Sequence, residues 1–264
     1  MKRATLKRLA CGVGAVGALL FGARPAAASD WNWSVTPYFW LSDIGVDVEV
    51  NDRQVADVTV DISNILEHTD SAVMLHLEGQ NGRNGIFFDG TYLNLGNSDV
   101  HVALPGPAGG SIGAKIDMKT TILEIGGIYN RRGDGQGFAL LYGARIFDLN
   151  ETIEARIDFP SGSTETHRYD AGGTLVDGLV GARYVGKISE RWLFNARADV
   201  AAGGTEMTWN ALLGFGRTFG KEGRHTLLAG YRHMAVELKE EDRNAEVESE
   251  LTLSGPYLAA KLGF

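Results

Sequence analysis

From residue 33 onward the chain alternates apolar and polar residues over short runs, separated by stretches rich in Gly, Asn and charge. Period-two alternation is the mark of a β-strand, whose successive side chains point to opposite faces. Ten such segments are expected, at about 33–48, 71–80, 86–95, 115–129, 138–149, 173–185, 192–200, 207–219, 226–238 and 251–264. In the second, Val73, Leu75 and Leu77 face one way and Met74, His76 and Glu78 the other. In the sixth, Val176, Val180, Ala182 and Tyr184 oppose Asp177, Gly181 and Arg183. Pro37 lacks an N–H for the ladder, so an irregularity is expected there. Residues 61–68 could form a short helix capped by Asp61 or Ser63.

The connections alternate in length. Those at 81–85, 130–137, 186–191 and 220–225 are short, whereas 51–69, 96–115, 150–170 and 239–249 are long; Gly203 and Gly204 make one further short connection. Short turns at one end and longer loops at the other are the pattern of a transmembrane β-barrel, with short periplasmic turns and long extracellular loops. The aromatics Trp31, Trp33, Tyr129, Tyr142, Tyr184, Trp192, Phe219 and Phe264 fall near the short-turn end, where an interfacial girdle belongs. The fold class expected is therefore all-β, an antiparallel up-and-down transmembrane barrel of about ten strands. Eight is the alternative, should the first or fourth segment not be strand.

The start of the chain changes the picture of location. Lys2, Arg3, Lys7 and Arg8 precede an apolar run at 9–21, and Ala26, Ala27 and Ala28 offer the small residues of a cleavage site. That is the layout of a secretory signal peptide, and the run is shorter than the roughly 20 residues a membrane-spanning helix needs. The domain plan is a signal peptide at 1–28 and a single barrel at 29–264, exported to the cell outer membrane. Cys11 is the only cysteine, so the processed chain has no disulfide or thiol chemistry. Losing Lys2, Arg3, Lys7, Arg8 and Arg24 takes the formal charge from −8 to −13, which argues against a nucleic-acid partner.

Ionisable groups gather on the inward-facing positions: Glu78, Asp89, Glu124, Arg145, Asp177, Arg183, Arg197, Asp199 and Arg232. A narrow barrel is largely filled by its own side chains, and buried charges need partners. A charge network that plugs the lumen is one reading. A charge-lined path for a small solute is the other, and the same residues serve both.

The stretch 176–184, together with Trp192, residues 199–204 and 209–216, Gly230, Tyr231, Arg232 and residues 255–258, resembles a widespread group of small proteobacterial outer-membrane barrel proteins. Residues 36–40 and the pair Phe88–Asp89 match that group's first half. Its members are mostly uncharacterised, so the resemblance implies fold and location and carries over no catalytic or binding residues. Arg217 stands where an aromatic is usual. The ending, with Leu258, Ala260, Leu262 and Phe264 on one face, resembles the signal such proteins offer to the barrel-assembly machinery.

Of the six histidines, His68 lies closest to a hydrolase-like set, with Asp70 and Ser71 beside it. Adjacency in sequence does not make side chains converge, as a triad requires. His76 is read as an inward, packed or hydrogen-bonded histidine. No metal-ligand spacing and no phosphate-cradling glycine loop is present. The function expected is an integral outer-membrane barrel of structural or interaction type, without enzymatic activity or cofactor. A narrow pore is the alternative and a lipid-modifying hydrolase a further one. The partners implied are outer-membrane lipid and the assembly machinery.

Overall fold

The computed structural model describes residues 31–50, 53–60, 62–63, 69–103, 111–158, 164–220, 223–242 and 245–264; the 1–28 segment, His68 and most of the 61–68 segment lie outside them. Twelve strands follow one another: β1 (Asn32–Trp40), β2 (Asp43–Val50), β3 (Arg53–Val60), β4 (Thr69–Asn81), β5 (Asn84–Ala103), β6 (Ser111–Asn130), β7 (Gly137–Asp158), β8 (Thr164–Lys187), β9 (Trp192–Gly203), β10 (Met207–Phe219), β11 (His225–Asp242) and β12 (Ala245–Gly263). Neighbours pair antiparallel from β4 through to β12, and β1 pairs with both β4 and β12. Ten strands thereby close a barrel. β1 is thereby paired on both edges, while among the described residues β3 keeps one edge unpaired.

β1 and β2 are two halves of one stave. Both pair with β12, the first through Tyr257 to Gly263 and the second through Val247 to Ser254. The break falls at Leu41 and Ser42, where the Leu41 amide donates to the Pro256 carbonyl at 2.9 Å. Gly255 permits this approach, because a Cβ there would lie 1.9 Å from the Leu41 carbonyl oxygen. Pro37 marks a different feature, the last pair of the β1–β4 ladder, opposite Leu75. β3 folds back on β2 and, among the described residues, pairs with nothing else.

Much of what the sequence suggests as long loop is ladder. β5 and β6 pair out to Ala103 and Ser111, β7 and β8 out to Asp158 and Thr164, and β11 and β12 out to Asp242 and Ala245. Alternation does continue there, with Ile112, Ala114 and Ile116 against Gly113, Lys115 and Asp117, and Ile153, Ala155 and Ile157 against Glu154 and Arg156, but it stands among charged and Gly-rich residues that read as loop. The 130–137 turn is fixed locally: Asn130 Oδ1 accepts from the amides of Arg132 and Gly133, and its Nδ2 donates to the Gln136 carbonyl at 2.9 Å. Gly133, Gly135 and Gly137 take φ of 75°, 70° and 75°, a region that suits glycine.

Two facing glycine pairs shape the inner wall, Gly126 with Gly143 and Gly214 with Gly230. A Cβ on Gly143 would lie 2.1 Å from the Ile125 carbonyl oxygen, and one on Gly230 would lie 2.1 Å from that of Leu213. Aromatic rings take the vacated space. Phe87 covers Gly126, and the Tyr257 hydroxyl lies 2.0 Å from the position of a Gly214 Cβ.

The outer face is apolar. Phe39, Phe138, Leu140, Tyr142, Leu213, Phe215, Leu227 and Leu258 are all more than half exposed. Phe138, Tyr184, Phe194 and Phe215 form a band of contacting rings over β7 to β10, with centroids 4.8, 6.5 and 5.6 Å apart in turn. Arg217 stacks its guanidinium over the Trp192 ring at 6.0 Å, so a cation–π pair occupies the rim where an aromatic would otherwise stand.

Candidate functional site: the charged layer of the lumen

Inward positions on seven strands meet at mid-depth. Arg145 on β7 is fully buried and donates from Nε and Nη2 to Glu124 Oε1 on β6, at 2.9 and 2.7 Å. It also reaches across β8 to Asp199 on β9. Arg197 closes the square from the other side, with Nε 2.6 Å from Asp199 Oδ2 and Nη2 2.7 Å from Glu124 Oε2. Two arginines and two carboxylates thus share a ring in which each cation touches both anions. Gly181 makes room for it, since a Cβ there would lie 2.4 Å from Asp199 Cβ.

The ring extends sideways through neutral groups. Asn210 Nδ2 donates to Asp199 Oδ2 at 2.9 Å, and Asn210 Oδ1 accepts from Arg232 Nε at 2.8 Å. Arg232 lies 4.3 Å from the Trp40 ring centroid. A second cluster lies on the β1, β4 and β5 wall. Arg183 bonds both oxygens of Glu78, at 2.5 and 3.2 Å. His76 has Nε2 3.3 Å from Glu78 and Nδ1 3.0 Å from Asp89, which also accepts from the Tyr38 hydroxyl at 2.8 Å.

Asp177 behaves differently from the other eight candidates. It faces Arg145 in register, yet its carboxylate accepts from the amides of Gly204 and Thr205 and from the hydroxyls of Thr205 and Thr208, at 2.8 to 3.3 Å. It therefore belongs to the β9–β10 turn and makes no ion pair in the described residues. Two close amides and two hydroxyls can hold a buried carboxylate without a counter-charge.

The sequence reading misses the partners that carry no charge: Tyr38, Asn210, Thr205 and Thr208. It also misses an apolar layer. One inward position farther from the termini than four of the charges lies an apolar side chain: Ile122 beyond Glu124, Phe147 beyond Arg145, Leu175 beyond Asp177 and Met234 beyond Arg232. These pack with Trp40 and Val236, and Met234 is 0% exposed. The two-residue offset is visible in the sequence, but only once the strands are aligned.

Toward the end that carries the termini the lumen opens into a cavity of about 930 Å³. It runs from Arg232 and Tyr257 down to Trp31, Gly133, Gly223 and Phe264. Of the hydrolase-like set, Ser71 is exposed.

Among solved structures the chain is similar to the outer membrane protease OmpT from Escherichia coli, with 10% identity, a TM-score of 0.46 and 89% of this chain and 97% of that one covered. It is also similar to Ail, the attachment invasion locus protein of Yersinia pestis, with 7% identity, a TM-score of 0.29, and coverage of 87% and 99%. A third is Neisserial surface protein A, with 11% identity, a TM-score of 0.28, and coverage of 89% and 98%. At these identities and scores the likeness carries no argument about activity or ligand. No family model matches the chain, and no curated protein matches it.

Proposed function

We propose that the chain is an integral outer-membrane β-barrel of structural or interaction type, whose lumen is closed at mid-depth. The observation that carries this reading is the combination of an apolar outer belt with a buried charged ring inside. Large exposed apolar patches mark interaction or membrane surfaces, and an antiparallel barrel is the strand architecture that satisfies every backbone group within lipid. The signal-like segment at 1–28 would export the chain, and the strand-forming C-terminus would be read by the assembly machinery. The termini then face the periplasm and the long hairpins face outward.

Closure rests on two stacked layers. The Glu124–Arg145–Asp199–Arg197 ring spans β6 to β9 and continues through Asn210 and Arg232 to Trp40, and Phe147 and Met234 pack beyond it. No enzymatic activity is proposed. Both ring nitrogens of His76 are already held by carboxylates, which leaves neither to activate a nucleophile. The large cavity below the ring favours one alternative, a narrow pore that opens when the layers part.

Refolding the processed chain into detergent micelles and lipid vesicles tests the first part. A compact gel band that shifts on boiling, with vesicle association, is the expected result. A freely soluble chain without the shift would overturn the membrane reading. Planar-bilayer recording tests the second part: silence is expected, and steady unit conductance would favour the pore.

A further inference from the structure

Every buried arginine of the charged layer but one has a carboxylate. Arg145 and Arg197 share Glu124 and Asp199, and Arg183 has Glu78. Arg232 is only 6% exposed and, among the described residues, makes no ion pair. Its Nε is held by Asn210 and its guanidinium plane by Trp40, so the side chain is oriented without being neutralised at contact. Asp89 and Glu124 act on it only through space.

Arg232 lines the upper end of the cavity, and Arg183, Lys187, Arg197, Arg224 and Lys261 line the same space; Arg183 and Arg197 are the paired arginines already described, and Lys187 and Lys261 are its two lysines. Neither makes an ion pair among the described residues. Lys261 lies about 20 Å farther along the strand toward the terminal end, because Gly255 is Arg232's register partner and a strand rises about 3.4 Å per residue. Of the acids that line the cavity, Glu78 is paired with Arg183 and Asp134 with Arg132, while Asp89 is hydrogen-bonded by Tyr38 and His76 and keeps its charge. Six cationic side chains thus line the space against the carboxylates Glu78, Asp89 and Asp134, so its side-chain balance is positive. Low-dielectric walls lined by one sign of charge focus the field and concentrate counter-ions.

We propose that this vestibule is a binding site for a small organic oxyanion, a carboxylate or phosphate ester, whose anionic group docks on Arg232. The two Nη nitrogens left free by the Asn210 bond form the fork that matches an oxyanion. A cavity of about 930 Å³ holds a solute much larger than the anion itself. Phe87, Leu141 and Leu228 line it and would take an apolar body. That the solute arrives from the periplasm rests on the membrane reading; the anion site rests on the cavity alone.

Trp40 reports on the site, since its ring lies 4.3 Å from the Arg232 guanidinium. Iodide, caesium and acrylamide are titrated against the folded barrel and against Trp40→Phe at constant ionic strength, and the difference isolates Trp40. Iodide should quench the Trp40 component about tenfold more effectively than caesium, as expected for a field-focused anion. Arg232→Gln should abolish that excess, while Arg232→Lys keeps part of it. Should Arg232→Gln not fold, the double variant Lys187→Gln/Lys261→Gln, at the cavity mouth, should still lower it. Acetate or phosphate should displace iodide. Equal quenching by iodide and caesium would overturn the site, as would a preference unmoved by the lysine pair. Displacement by neither oxyanion would overturn the ligand class. The titration works in detergent or in buffer, so it stands apart from the membrane reading, which the gel decides.

Discussion

Arg145 on β7 bonds Asp199 on β9, reaching across the intervening strand β8, where Gly181 lies opposite Asp199 in register. The contact joins strands that do not pair with each other, and Gly181 leaves Asp199 its place, since a Cβ there would lie 2.4 Å from the Asp199 Cβ. Arg145 has 0% exposure, so its charge depends wholly on Glu124 and Asp199. Replacing Arg145 with Ala leaves two buried carboxylates facing Arg197 alone. Loss of one partner in a buried ionic network costs about 3–5 kcal/mol. Urea titration of the folded gel band should show a lower midpoint for Arg145→Ala, and an unchanged midpoint would mean the ring does not stabilise the barrel.

Glycine positions should separate into two classes. A Cβ on Gly143 meets the Ile125 carbonyl oxygen at 2.1 Å, which is backbone and cannot turn away. A Cβ on Gly127 meets the Tyr142 ring at 2.3 Å, and that ring is exposed and free to swing outward. Gly143→Ala should therefore destabilise by about 1–3 kcal/mol, the usual cost of overpacking, and Gly127→Ala by less. The two variants are compared by folded fraction after refolding; equal yields would contradict the distinction.

Asp177 should act as a turn residue and not as a lumen charge. Asp177→Ala removes the acceptor of two amides and two hydroxyls, a loss of about 1–3 kcal/mol for buried groups left unsatisfied. Hydrogen exchange should quicken at the Gly204 and Thr205 amides while Arg145 keeps its partners. Asp177→Asn, which retains one carbonyl oxygen, should fall between. Exchange spread evenly over the barrel would argue that Asp177 supports the ring after all.

If the lumen is closed in two layers, neither layer alone controls conductance. Arg145→Ala should remain silent in planar bilayers, because Phe147 and Met234 still pack above it. Adding Phe147→Ala and Met234→Ala should produce unit steps. Conductance from Arg145→Ala by itself would show that the ionic ring alone holds the lumen shut.

Strand parity was legible in the sequence, including the inward side of Glu78, Asp89, Glu124, Arg145, Arg183, Arg197, Asp199 and Arg232, because a strand's two faces follow from its backbone alone. The short turns were legible as well, since Asn130 with Gly133, and Gly220 with Gly223, are local signals that need no neighbour. The hairpin extensions were not, because their alternation, as in Ile153, Ala155 and Ile157 against Glu154 and Arg156, stands among charged and Gly-rich residues that read as loop. Nor was the partner of any charge. Asp177 and Arg145 lie opposite each other in register, and pairing by register would join them, yet the β9–β10 turn takes the carboxylate and Arg145 reaches past it. Which groups meet inside a closed barrel depends on curvature, on the glycines that let strands approach, and on how far each side chain extends over its neighbours. Those quantities exist only once the sheet has closed, so the sequence by itself determined which residues face inward, and the tertiary structure decided which of them touch.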